Sequence, residues 1–184
     1  AYKEGKPQEA ERLYREILKI HPEHLASYNN LGILLHELGR LKEAEDCFKN
    51  AIKIKSDYIE AYNNLANLQK ELGRLDEAVK NCKLAINFNP NFPTSYYNLA
   101  NILRKINKPD KAEENYKKTI KLKPDYIQAY INLGSLFYEL NRLVEAEINF
   151  RKVIELTPDH FEAYNNLANV LKDLGKFDEA EINF

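Results

Sequence analysis

Asparagine recurs at one register of this 184-residue chain: Asn30, Asn64, Asn98, Asn132 and Asn166 stand 34 residues apart. Three residues further on come Ile33, Asn67, Asn101, Ser135 and Asn169, and one residue before come Asn29, Asn63, Tyr97, Ile131 and Asn165. A carboxamide carries an acceptor oxygen and a donor NH₂, the complement of a peptide group, so it holds a polypeptide main chain whatever side chains that chain bears. If the elements bearing these amides pack as helices do, ~8–10 Å apart, each meets an extended ligand about every three residues at ~3.3 Å per residue. Asn is a poor interior helix former, and five of them cost roughly 3 kcal/mol relative to Ala, which something must offset. Two roles stand open for the column: contact with a ligand main chain, or a bond to a neighbouring helix that orients the stack. Exposed positions elsewhere have diverged between copies while this column has not, which argues against mere recent duplication.

Other chemistry finds little footing. His21, His24, His36 and His160 are scattered, and no third ligand accompanies the close pair, so no metal site is expected. Cys82 sits in an apolar column and Cys47 one place earlier in its own segment, with no CxxC pattern or nearby base to mark a nucleophile. Glycine-rich phosphate loops, GxSxG and HExxH are absent, so neither cofactor nor catalysis is expected. Lys and Arg number 27 against 28 Asp and Glu, a net charge of −1 without the basic excess a nucleic-acid partner needs. No apolar run approaches the ~20 residues of a membrane span, and no signal peptide is visible. With only two cysteines, an intracellular, cytoplasmic location is the expectation.

The amides are positioned by a repeat of period 34. Tyr28, Tyr62, Tyr96, Tyr130 and Tyr164 align, followed by Leu31, Leu65, Leu99, Leu133 and Leu167, then by the small residues Gly32, Ala66, Ala100, Gly134 and Ala168. A later column is Ala throughout: Ala10, Ala44, Ala78, Ala112, Ala146 and Ala180. Beyond it lie Tyr14, Phe48, Cys82, Tyr116, Phe150 and Phe184, then Pro22, Pro90, Pro124 and Pro158, with Ser56 as the departure. Apolar residues three and four apart (Tyr62, Leu65, Ala66, Leu68, Leu72) give a helix with one buried stripe, leaving Asn63, Asn64 and Asn67 on its other side. Gly39, Gly73, Gly175, Asn107 and Asn141 stand where a helix end wants a left-handed residue. A second amphipathic stretch follows, with acid or Pro in its first turn. Ala66 is expected to face Ala78, letting the two backbones approach, and the acidic and Lys residues of the second helices read as a solvated outer face. No helix hairpin buries its apolar face alone, so the expected fold is all-α: antiparallel helix pairs stacked as a right-handed superhelical solenoid.

This order of aromatic, Leu, small, Ala, aromatic and Pro at period 34 resembles the tetratricopeptide repeat (TPR) over the whole chain, with Tyr in place of the usual first Trp. The expected units are a partial repeat 1–24, complete repeats 25–58, 59–92, 93–126 and 127–160, and a partial repeat 161–184. The resemblance implies that first helices line a concave groove and second helices lie outside. The Asn column also resembles the superhelical repeats of O-linked N-acetylglucosamine transferase-like enzymes, whose groove asparagines hold the substrate main chain. That resemblance places peptide binding on Asn30, Asn64, Asn98, Asn132 and Asn166, with Asn67, Asn101 and Asn169 as helpers. A carboxylate clamp for acidic C-termini is not expected, since the one basic column (His36, Lys70, Arg104, Tyr138, Lys172) adjoins Glu37, Glu71, Glu139 and Asp173. The expected function is a protein-interaction module for extended polypeptide, with two further readings: the substrate-recruiting arm of a glycosyltransferase, or a scaffold for multiprotein assembly. Without an initiating Met the chain reads as a piece of a longer protein, with stacking faces at its ends disposed to end-to-end self-association.

Overall fold

The computed structural model describes residues 6–183, and Phe184 of the aromatic column lies outside them. The chain divides into two compact units, residues 1–91 and 92–184. Among the described residues the first unit holds α1 (Pro7–Ile20), α2 (Leu25–Glu37), α3 (Leu41–Ile54), α4 (Ile59–Glu71) and α5 (Leu75–Phe88). The second holds α6 (Pro93–Lys105), α7 (Pro109–Leu122), α8 (Ile127–Glu139), α9 (Leu143–Leu156), α10 (Phe161–Asp173) and α11 (Phe177–Asn183). Within each unit every helix packs on its sequence neighbours, and first helices of successive pairs also touch, α2 on α4 and α6 on α8. This is the all-α, solenoid-type stacking of helix pairs expected from the repeat.

The turns have a common construction. Gly39, Gly73, Asn107, Asn141 and Gly175 all adopt positive φ, between 56° and 78°. The next residue then donates its N–H back across the turn: Arg40 to the Leu35 carbonyl at 2.8 Å, Arg74 to Gln69 at 2.9 Å, Lys108 to Leu103 at 2.9 Å, Arg142 to Phe137 at 2.8 Å and Lys176 to Leu171 at 2.9 Å. These are Schellman closures, which satisfy carbonyls left open at the helix end. Pro7, Pro93 and Pro109 open their helices, where the missing N–H costs nothing. His24 and His160 are caps rather than idle link residues: each Nδ1 accepts a backbone N–H, from Ser27 and Ala163, at 3.2 Å.

The core is built from the repeated columns. Ala44, Ala66, Ala78, Ala100, Ala112, Ala146 and Ala168 are fully buried, as are Phe48, Cys82, Tyr116 and Phe150. At the small column the aromatic of the second helix fills the space opposite. A Cβ on Gly32 would lie 2.6 Å from the Phe48 ring, and one on Gly134 3.0 Å from the Phe150 ring. The Ala column alone therefore does not account for the close approach. Leu72 departs from the expected stripe: it is the C-cap of α4 and 41% exposed, because the chain turns away at Gly73. Asn63, expected on the polar side, is buried, with its Nδ2 on the Ile59 carbonyl at 3.2 Å.

Candidate functional site

The repeat places the Asn column in the middle of α2, α4, α6, α8 and α10, one amide per first helix. Asn30 is exposed, and Asn64, Asn98, Asn132 and Asn166 are half-buried. Of the flanking amides, Asn67 and Asn101 are half-buried and Asn169 is exposed.

In the first unit, Asn64 Nδ2 donates to Asn29 Oδ1 on the preceding first helix at 2.7 Å. That bond uses one of its two N–H groups and leaves the amide oxygen out of the pairing. Asn67 Oδ1 accepts from Lys70 Nζ at 2.6 Å. In the second unit, Asn132 Nδ2 lies 2.8 Å from Asn101 Oδ1 and 3.0 Å from the Tyr97 hydroxyl, both on the preceding first helix. Asn101 Oδ1 also accepts the Tyr116 hydroxyl at 2.6 Å, and burial pushes that hydroxyl up to about 12. Asn98 is likewise partnered. Among the described residues Asn166 has no side-chain hydrogen bond, because the preceding helix offers Ile131, and Ser135 at the next place donates to the Ile131 carbonyl at 2.9 Å.

The amides are thus held by contacts 31 to 35 positions apart. Tyr97 and Tyr116 belong to this set, although the sequence columns mark them only as a flank and a core aromatic. A signal was present 15 residues apart: Tyr116 carries its hydroxyl where Asn101 stands, whereas Phe48 and Phe150 stand against Ile33 and Ser135. Four of the five members of the basic column have partners within the chain, Lys70 on Asn67 among them. His36 Nε2 lies 2.6 Å from Glu71, Arg104 is engaged by both Glu139 oxygens, and the Tyr138 hydroxyl donates to Asp173 at 2.6 Å. Among the described residues there is no group of three or more His, Cys, Asp or Glu placed to hold a metal, and no helix is long and apolar enough to cross a membrane.

Comparison with known proteins bears on the repeat and the fold. The chain is similar to the solved structure of MamA, with 27% identity, a TM-score of 0.71, and coverage of 84% of this chain and 91% of that one. YrrB, described as a TPR protein with an unusual peptide-binding site, is 20% identical with a TM-score of 0.68, covering 92% of this chain and 88% of that one. PilF of Pseudomonas aeruginosa is 18% identical with a TM-score of 0.87, covering 99% and 83%. At these identities the last two likenesses show the fold alone. No match is found among the curated proteins. Family models described as tetratricopeptide repeat match residues 1–57, 28–88, 93–126, 127–160 and 149–182. With those matches, the common turn and the 34-residue columns in agreement, the chain belongs to the tetratricopeptide repeat family.

Proposed function

We propose that the face built by the first helices binds extended polypeptide through its Asn column, as a protein-interaction module. The observation that carries this reading is the clamping of Asn64 and Asn132 by the preceding first helix, at 2.7 Å and 2.8 Å. An amide already held in one orientation loses little further freedom when a ligand arrives, so more of each contact appears as affinity. The binding residues in this reading are Asn30, Asn64, Asn98, Asn132 and Asn166, helped by Asn67, Asn101 and Asn169. Service as the recruiting arm of a glycosyltransferase, as a multiprotein scaffold, or in end-to-end self-association are finer forms of the same reading. The neighbouring domains of the full-length chain separate the first two, and concentration-dependent sedimentation tests the third.

The direct test replaces Asn64, Asn98 and Asn132 together by Ala and measures binding to a random decapeptide array. Each lost amide contact is worth ~1 kcal/mol, so affinity falls by an order of magnitude or more while the helical content is kept. Unchanged peptide affinity with a large loss of thermal stability identifies the column as architecture alone.

A further inference from the structure

Asn64, Asn132 and Asn166 are the same residue in the same column, yet the first helix before each treats it differently. Two places on that helix decide the treatment, 35 and 31 positions earlier in the chain. Before Asn64 stand Asn29, which bonds it at 2.7 Å, and Ile33, whose side chain has no polar atom. Before Asn132 stand Tyr97 and Asn101, and both bond it, at 3.0 Å and 2.8 Å. Before Asn166 stand Ile131, which is apolar, and Ser135, whose hydroxyl turns to the Ile131 carbonyl at 2.9 Å. Among the described residues the Asn166 carboxamide is therefore unheld.

Neither clamp depends on which amide atom is the oxygen. Turning both amides of a pair by 180° exchanges donor for acceptor and keeps the bond, and the Tyr97 hydroxyl serves in either sense. The clamping groups are themselves fixed. Asn29 is buried, and the Tyr97 ring packs on those of Tyr126 and Tyr116, with centroids 5.0 Å and 6.2 Å away. The terminal torsion of Asn is broad when nothing restrains it. An unheld amide must then be ordered by its ligand, and that ordering subtracts from affinity.

We propose that Asn29, Tyr97 and Asn101 are positioning residues for peptide binding, which set the strength of the amide on the next first helix, and that Ile131 with Ser135 leaves the contact at Asn166 weak. The proposal rests on the peptide-binding reading above and deepens it. The strength of each contact belongs to the helix before the amide, and it grades from two clamps at Asn132 through one at Asn64 to none at Asn166.

The test transplants the clamp. Ile131→Asn with Ser135→Asn gives α8 the residue that Asn29 and Asn101 supply in the same two columns, and Asn29→Ile gives α2 the residue native at Ile131. In the ligand-free chain, ¹⁵N relaxation of the side-chain NH₂ groups is expected to show Asn64 and Asn132 ordered and Asn166 mobile. The transplant should order Asn166, and Asn29→Ile should loosen Asn64 while leaving Asn132 as it was. Decapeptides selected from a random library should bind the transplant about threefold tighter than the wild type, with the gain lost when Asn166→Ala is added. Three equally ordered amides in the wild type, or an Asn166 left mobile by the transplant, overturn the inference. So does a transplant that shifts the urea midpoint while Asn166→Ala costs the same affinity in both backgrounds, since the clamp is then architecture alone. Those results leave peptide binding standing, whereas retention of no decapeptide by the wild type overturns the peptide-binding reading and this inference with it.

Discussion

Nη1 of Arg40 lies 2.8 Å from each carboxylate oxygen of Glu11, 29 positions earlier in the chain. The same offset joins Arg74 to Glu45 at 2.6 Å, Arg142 to Glu113 at 2.5 Å and Lys176 to Glu147 at 2.9 Å. Each base is the residue that closes a Schellman turn, so the turn that ends one first helix also aims a cation at the second helix before it. The acids of the second helices are therefore not only a solvated face; one column of them ties consecutive helix pairs together.

Glu147 is the most enclosed of these acids, between Lys176 and Arg151, each at 2.9 Å. Glu147→Gln keeps the shape and removes the charge. A partly screened pair of this kind is worth about 1 kcal/mol, and the urea midpoint should fall accordingly. A double-mutant cycle with Lys176→Met should recover a positive coupling that shrinks in high salt.

Acid should weaken the fold through the same column. Burial alone would push the Glu147, Glu113 and Glu11 carboxyls up, but hydrogen bonds from Lys176 and Arg151, from Arg142 and Lys117, and from Arg15 and Arg40 outweigh it. Glu45 is lowered chiefly by its bond to Arg74. A carboxyl held lower in the folded than in the unfolded chain contributes stability above the unfolded value, about 4.3 for Glu, and loses it as pH falls through the folded one. Urea midpoints should be flat from pH 7 to pH 5 and decline below it, and Glu147→Gln should decline less steeply.

The two thiols should resist modification. Burial pushes Cys47 up to about 11 and Cys82 up to about 12, so the reactive thiolate is scarce at neutral pH. Iodoacetamide at pH 8 should label neither quickly in the folded chain, with Cys47 ahead of Cys82, and both promptly in urea.

Gly32 and Gly134 should be size-coupled to the aromatic opposite. Ala at Gly32 gains ~1 kcal/mol in helix propensity but brings a Cβ to 2.6 Å from the Phe48 ring. Overpacking of this kind costs ~1–3 kcal/mol, so Gly32→Ala should be destabilising by denaturant titration. Gly134→Ala, at 3.0 Å from Phe150, should cost less. Phe48→Leu should turn Gly32→Ala from harmful to neutral, as expected where Ala66 already pairs with Cys82 in the same columns.

Along the Asn column, contributions should be unequal. Asn132 is clamped from the preceding helix and Asn166 is not, so Asn132→Ala should weaken decapeptide binding more than Asn166→Ala. Equal losses would mean that clamping does not matter to affinity.

The helix pairs, the left-handed turn residues and the buried Ala and aromatic columns were legible because each expresses a local rule: a 3.6-residue stripe, a helix end, a small residue at a close contact. Leu72 misled because a helical stripe does not reveal where the chain leaves the helix. The links of Glu11 to Arg40 and Asn64 to Asn29 were hidden for another reason. They depend on how one helix pair meets the next, and a period of 34 says that pairs recur without saying which columns touch. For the candidate site, the amide column was plain in the sequence, but its hydrogen-bond partners on other helices, Asn29, Tyr97 and Tyr116, were not.

The side-chain hydrogen bonds described above between helix pairs, with that of Arg15 to Glu43, span 28 to 35 positions along the chain, the longest as between His36 and Glu71 or Tyr138 and Asp173. In genetic terms this makes the chain extensible. Duplication or loss of 34 codons keeps the repeated columns in register, whereas a single inserted codon inside a helix shifts the 29-, 31- and 35-residue pairings together. Length is thus free to vary in whole repeats, and each added repeat brings one more amide to the column.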